Sequence, residues 1–336
     1  MTEHSALASA IDATNRSLTD PERNITIGAD APQFELYHFA LSLCSQKVRA
    51  TLMEKGASFR AHDINLSLPH LGNYDPDYVN LRLMGHPGGE FARGYTGRSS
   101  VETEGFDPAV VPTLADLEGG DVVTDSARIC RHIDRQVTTG SELIPNELEG
   151  EILFEIKAVD DTPHVALLYG AHPEIDYRPA AIRKNMTGVF DRKIEKLRMA
   201  HAQAADAHLV QAALEAKIAK EEAARDFVAT PDDMRRVVEE VVGITAALET
   251  RLSDGRPFVT GDTFTLADIV WAVSLFRFKW LGMAFLWEGG HALNAIAHPH
   301  AERYGAMLFD RPAFRASCID WPKVPRSEYV ADHYPD

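Results

Sequence analysis

The stretch FELYHFALSLCSQKVRATLMEKG, Phe34–Gly56, decides the fold. FELYHF alternates and is aromatic, which predicts a strand. SQKVRATLMEKG places Val48, Leu52 and Met53 on one face and stops at Gly56, which predicts a helix. Between the two lie Ser42 and Cys44, a hydroxyl and a thiol two residues apart where a strand hands over to a helix. That is a good place for sulfur chemistry.

Working outward, SFRAHDINL predicts a second strand, and DPDYVNLRLM a short helix entered through Pro76. A Gly-rich insertion without clear period follows at about residues 83–107. VVPTLADLEGGDVVTDSARICRHIDRQV then reads as strand, Gly119-Gly120 turn, strand and helix. A first domain over residues 34–140 is therefore βαβα, insertion, ββα. Beyond it Ala, Glu, Lys and Leu dominate, so residues 141–336 are expected to be all-α. Thr230 before Pro231 opens one helix with Val237, Val241, Ile244, Leu248 and Leu252 on its apolar stripe. In FTLADI, Thr265 and Asp268 predict a capping box and Phe264 a staple onto Ile269. The first 33 residues are polar and mildly acidic, without the basic start and apolar run of a signal peptide. They are expected to form an extension wrapped on the surface or partly disordered.

Bulk composition narrows the function. In 336 residues, 34 Lys and Arg stand against 50 Asp and Glu, a formal charge of −16 that repels nucleic-acid backbones and anionic lipid. The three cysteines, Cys44, Cys130 and Cys318, are scattered and fit a reduced, cytoplasmic protein. The most apolar run, IVWAVSLFRFKWLGMAFLW, carries Arg277 and Lys279 near its middle, so it predicts a buried core helix rather than a membrane span. Arg277, Lys279 and Trp280 read as packing and structural pairs, and the basic cluster from Arg192 to Arg198 as a solvated helix face. There is no phosphate loop, no H-E-x-x-H and no nucleophile elbow.

Strand, Ser/Cys turn, helix and a later Val111-Pro112 before a strand make a thioredoxin-like layout. The plain alternatives are a trans proline entering an edge strand and, at Asp125-Ser126, a mere capping pair.

With these residues in view, the N-terminal domain resembles glutathione transferases: ALSLCSQKVR at the first strand–helix turn, VVPTL as the cis-proline strand, TDSARIC as the acid–serine pair. GDTFTLADI matches the superfamily's C-terminal capping box. The runs DDTPHVALLYG and TLADIVWAVSLFRFKWLG look like glutathione-dependent reductive dechlorinases of chlorinated hydroquinones. The resemblance covers most of the chain from about Phe34 to Trp321. It implies glutathione as co-substrate, no metal or nicotinamide, a small chlorinated aromatic substrate, and allows a homodimer. The insertion departs from the usual compact domain and leaves the geometry of any pairing open.

The resemblance also implies roles. Ser42 donates to the glutathione sulfur, and Cys44 accepts the glutathionyl group. Lys47, Val111, Pro112, Asp125 and Ser126 bind glutathione, with Asp125 and Ser126 at its γ-glutamyl end. His164 and Tyr169 face the aromatic ring, although His164 reads equally well as a satisfied core histidine. Lys47 stands where thioredoxins have the second cysteine of C-x-x-C, so a free thiol must clear Cys44, which suits glutathione. The helix dipole and Lys47 are both expected to favour a Cys44 thiolate. A thiol with a pKa of ~8.5 needs a drop of ~2 units, roughly 2.7 kcal/mol, to be mostly ionised at neutral pH. A charged hydrogen bond of ~1.5–3 kcal/mol plus a helix terminus supplies that. A glutathione-dependent aryl-ether cleaver would share the fold and not need Cys44; a transferase-like binding protein would use the fold alone.

Overall fold

Five strands make one mixed sheet in the order β1–β3–β2–β4–β5 in a computed structural model that describes residues 3–18 and 21–322. They are β1 Asn24–Ile27, β2 Phe34–His38, β3 Phe59–Asp63, β4 Thr113–Asp116 and β5 Asp121–Thr124. Central β2 runs parallel to β3 and antiparallel to β4, with Leu36 opposite both Ala61 and Leu114. Every residue of β2 is buried. Helices cover both faces, so even Glu35 is buried and pairs with His62 and Arg60.

Helices α1 Glu3–Leu18, α2 Leu43–Glu54, α3 Pro76–Met84, α4 Val101–Glu104 and α5 Ser126–Gln136 accompany the sheet. Phe34, Leu36 and Leu114 share a core with Val48 and Leu52 of α2 and Ile129 and Ile133 of α5. On the other face Tyr37 and Ala115 meet Leu7 and Ile11 of α1 and Tyr78 and Leu81 of α3.

The N-terminal segment differs from the expected surface wrapping or disorder. Leu7, Ala10, Ile11 and Thr14 fall on one helical stripe and are buried. The Thr14 hydroxyl reaches the Asp77 carbonyl of α3, and the Tyr37 hydroxyl donates to Asn15. β1 then pairs antiparallel with β3, Ile25 opposite Ala61, and covers a sheet edge that would otherwise be bare. Low overall hydropathy hid a narrow but well-placed apolar face.

The helical part comprises α6 Glu149–Asp160, α7 His164–Tyr169, α8 Ala180–Met186, α9 Val189–Gln203, α10 His208–Val228, α11 Pro231–Leu252, α12 Leu266–Trp280, α13 Phe285–Glu288 and α14 Pro299–Phe309. The α12 run from Leu266 to Phe278 is wholly buried, packed on by α2, α6 and α14. Asp268 accepts from the Thr265 N–H at 2.8 Å, from Val259 N–H at 2.9 Å and from the Tyr304 hydroxyl at 2.7 Å. At the head of α11 the Thr230 hydroxyl turns back to the Asp226 carbonyl instead of capping forward. Among the described residues no helix is long and apolar enough to cross a membrane.

The insertion folds back onto the helical part. The Gly97 carbonyl accepts from the Val165 N–H of α7 at 3.1 Å, and Asp107 meets Lys217 of α10 at 2.7 Å.

Candidate active site

The turn between β2 and α2 is held from both sides by buried guanidinium groups. Arg49 of α2 donates to the Ala40 carbonyl at 2.9 Å, and Arg277 of α12 donates to the Leu41 carbonyl. Ser42 is therefore a firmly placed N-cap: its Oγ accepts from the Ser45 N–H at 3.3 Å, which leaves its own proton free for a ligand. Cys44 follows in the first turn, half-buried. Cys130 and Cys318 are buried, and burial pushes them up to about 12 and about 11. Of the three free thiols, Cys44 opens on the cavity.

That cavity measures about 890 Å³. Ser42, Cys44, Val111, Pro112, Asp125, Ser126, His164 and Tyr169 all line it, so eight of the nine residues singled out in the sequence meet in one place. The Val111–Pro112 bond is cis.

Lys47 is the exception. It is fully buried beneath α2, off the cavity wall, in an ion pair with Asp160 at the end of α6. Three residues on from Cys44 the helix has turned its side chain inward, so Lys47 ties α2 to α6 and its charge is balanced by Asp160.

Asp125, the N-cap of α5, holds a backbone φ of +71°, an unusual setting for a residue other than glycine. Its carboxylate accepts from the Arg128 N–H at 3.2 Å and has no ion pair among the described residues. Burial, and then the charge of Asp160, raise it to about 6. An anionic pocket residue short of a counter-charge suits an ammonium ligand. Ser126 beside it is buried.

His164 lines the wall but is not a free base. Its Nδ1 lies 3.1 Å from the Thr162 carbonyl, its Nε2 lies 2.7 Å from the Ser274 hydroxyl, and its ring stacks on Phe278 at 5.1 Å. Burial, with Lys47 and Arg277 nearby, holds it well below the ordinary histidine value. A neutral ring that donates through Nδ1 and accepts through Nε2 has both nitrogens engaged, so His164 sits on the wall as a satisfied buried histidine. Tyr169 accepts from Lys193 Nζ at 3.3 Å, with the ammonium 4.6 Å above its ring. Its own hydroxyl proton remains available.

Sequence reasoning missed the far wall. Lys193, expected on a solvated face, is buried and pairs with Glu221 at 2.5 Å. Lys217 bridges Glu221 and Asp107, and Lys220 bridges Asp107 and Glu104. Burial acts to raise Asp107, but Lys217 and Lys220 outweigh it and hold the carboxyl far below its ordinary range. Three cations and three anions compensate one another there. Arg277, read as structural, also lines the cavity. Among the described residues no group of three or more His, Cys, Asp or Glu side chains is placed to hold a metal ion.

Residues 41–136 match the glutathione S-transferase N-terminal domain, and residues 211–304 the glutathione S-transferase C-terminal domain. The chain belongs to the glutathione S-transferase family. The chain is 41% identical over 302 residues to a 2,5-dichlorohydroquinone reductive dechlorinase of Sphingobium indicum, covering 89% of this chain and 86% of that one. It is 27% identical to a tetrachloro-p-hydroquinone reductive dehalogenase of Sphingobium chlorophenolicum, over 75% of this chain and 85% of that one. A β-etherase structure from Sphingobium sp. strain SYK-6 shares this chain's fold with a TM-score of 0.58 at 20% identity, covering 85% of this chain and 98% of that one. Family and fold are thus fixed, with a sheet domain that supplies Ser42 and Cys44 and a helical domain that supplies the facing wall.

Proposed function

We propose that this chain is a glutathione-dependent reductive dechlorinase of chlorinated hydroquinones. The observation that carries the reading is the placement of Ser42 and Cys44, N-cap and second residue of α2, on one cavity with Asp125 and Ser126. The identity to a 2,5-dichlorohydroquinone reductive dechlorinase supports it.

In this reading residues 34–140 hold glutathione and residues 141–336 face the ring. Asp125 takes the γ-glutamyl ammonium that its uncompensated carboxylate lacks, and Ser126 with the first amides of α5 takes the neighbouring carboxylate. The backbone at Val111, beside Pro112, aligns the cysteinyl part. Ser42 donates its free proton to the glutathione sulfur and holds it as thiolate. That sulfur displaces chloride from the ketonised ring, the carbon–chlorine electron pair leaving with chloride. Cys44 then attacks the sulfur of the conjugate, forming a disulfide as the carbon–sulfur bond breaks and its electron pair returns to the ring. A second glutathione thiolate frees Cys44 and leaves as glutathione disulfide. The balance is one carbon–chlorine bond replaced by carbon–hydrogen, two thiols oxidised to one disulfide, and HCl released. Tyr169 offers its hydroxyl to a ring oxygen; His164 shapes the wall.

Ether cleavage on the same fold would use Ser42 and have no need of Cys44. Anaerobic incubation of 2,5-dichlorohydroquinone, tetrachlorohydroquinone and a β-aryl ether with glutathione separates the readings. The expected result is one chloride per two thiols consumed and no ether cleavage. Ether cleavage without chloride release, or glutathione binding with neither reaction, overturns the proposal. The same reading puts the enzyme in the reducing cytoplasm, where its free thiols persist, and allows a homodimer, which sedimentation tests.

A further inference from the structure

Two buried guanidinium groups line the cavity without a carboxylate partner among the described residues. Arg82 is spent: it donates to the Asp107 carbonyl at 2.9 Å, the Pro112 carbonyl at 2.7 Å and the Thr113 hydroxyl at 3.1 Å. Arg277 is different. It gives one nitrogen to the Leu41 carbonyl and lies over the Trp280 ring at 4.6 Å. It also lines the cavity, on the wall that carries Cys44 and Tyr169. Burial lowers it to about 10, so it stays charged at neutral pH. The titratable groups that act on it are Cys44 from α2, His164 and Tyr169 from α7, and Cys318 from the helical turn Arg315–Ile319. The imidazole is committed elsewhere, Cys318 is sealed from the cavity, and none of them is a carboxylate that would neutralise the fork.

A buried planar cation held by one carbonyl and one indole face is a receptor for an oxyanion, because burying the charge unpaired is otherwise costly. On the reading that the ring substrate is a hydroquinone, we infer that Arg277 is a further catalytic residue: it receives the ionised ring oxygen beside Cys44. Its position suits the second half of the reaction. When the Cys44 thiolate bonds to the glutathionyl sulfur, the carbon–sulfur bond breaks and its electron pair passes into the adjacent ring carbonyl. The carbonyl oxygen becomes a phenolate, which Arg277 holds until water protonates it. Fixed charge aimed where negative charge develops is an effective form of stabilisation. The other buried cations lining the far wall, Lys193, Lys217 and Lys220, are already matched to Glu221, Asp107 and Glu104.

Two equilibrium measurements test this without turnover. In anaerobic calorimetry without glutathione, Arg277→Met should weaken 2,5-dichlorohydroquinone binding about tenfold while leaving its non-ionisable dimethyl ether and glutathione unaffected. Arg277→Lys should recover part of the loss. In the unmodified protein, the ultraviolet band of the bound phenolate should appear about one pH unit lower than for the free quinol. Equal hydroquinone affinity in Arg277→Met, an equal loss for all three ligands, or a bound quinol that ionises at or above the free value overturns the inference. Wild-type protein that binds glutathione but no hydroquinone overturns the functional reading itself, and the inference with it.

Discussion

Lys47 of α2 and Asp160 of α6 form a fully buried ion pair that joins the sheet domain to the helical domain. Removing one partner of such a pair costs ~3–5 kcal/mol, because the other is left charged in the interior. Asp160→Asn should therefore lower the urea midpoint sharply. Lys47→Met should also destabilise, yet leave glutathione affinity at permissive temperature within about twofold of wild type. Lys47 is raised above its ordinary value: burial opposes the charge, and Asp160 more than offsets it. The stability it contributes is complete below the unfolded lysine value of ~10.5 and is lost as pH rises through the folded one. A well-folded Lys47→Met protein that has lost glutathione would restore the direct contact expected from the sequence.

Asp125 gives the glutathione site a pH dependence. With the ligand-free carboxyl at about 6, ammonium binding requires its deprotonation. Affinity at pH 5 should be about tenfold below its plateau and should level off above pH 7. Because the folded value lies above the unfolded one, the Asp125 contribution to ligand-free stability is present at low pH and falls as pH rises through about 6. Calorimetry across pH 5–8 checks the first claim. Asp125→Asn should bind weakly with a flat profile, and a flat profile in the wild type would place the ammonium elsewhere.

Gly97 anchors the insertion. Its φ is +84°, and an added Cβ would lie 2.7 Å from the Ala166 Cβ of α7. Gly97→Ala should cost ~1–3 kcal/mol through strain and overpacking. Since Glu104 and Asp107 enter the cavity on the same segment, it should also speed proteolysis between residues 83 and 107. Unchanged melting and unchanged cleavage would show that the segment docks without this contact.

Much of this was legible from the sequence. Strand and helix periodicity placed Phe34–Gly56, and Asp268 in FTLADI announced a cap that proves to accept from Val259 and Tyr304 as well. The meeting of Ser42, Asp125 and Ser126 on one cavity was legible because all three sit at helix starts, whose chemistry is local. Lys47 misled because the exposure of a helical residue depends on what packs against that face, and here it is α6. Lys193 misled for the same reason: a charge in a sequence looks solvated until the partners, distant in the chain, are known. The N-terminal helix was hidden by its polar composition. Four positions, Leu7, Ala10, Ile11 and Thr14, were enough to dock it.

The central claim is that Cys44 removes the glutathionyl group from the ring, and Cys44→Ser tests it most directly. A serine hydroxyl is a poor nucleophile toward sulfur and cannot form the disulfide. Mass spectrometry of a Cys44→Ser reaction with 2,5-dichlorohydroquinone and glutathione should find chloride released, a glutathionyl-hydroquinone accumulating and no glutathione disulfide. A dechlorinated, sulfur-free hydroquinone formed at near-normal yield would contradict the account.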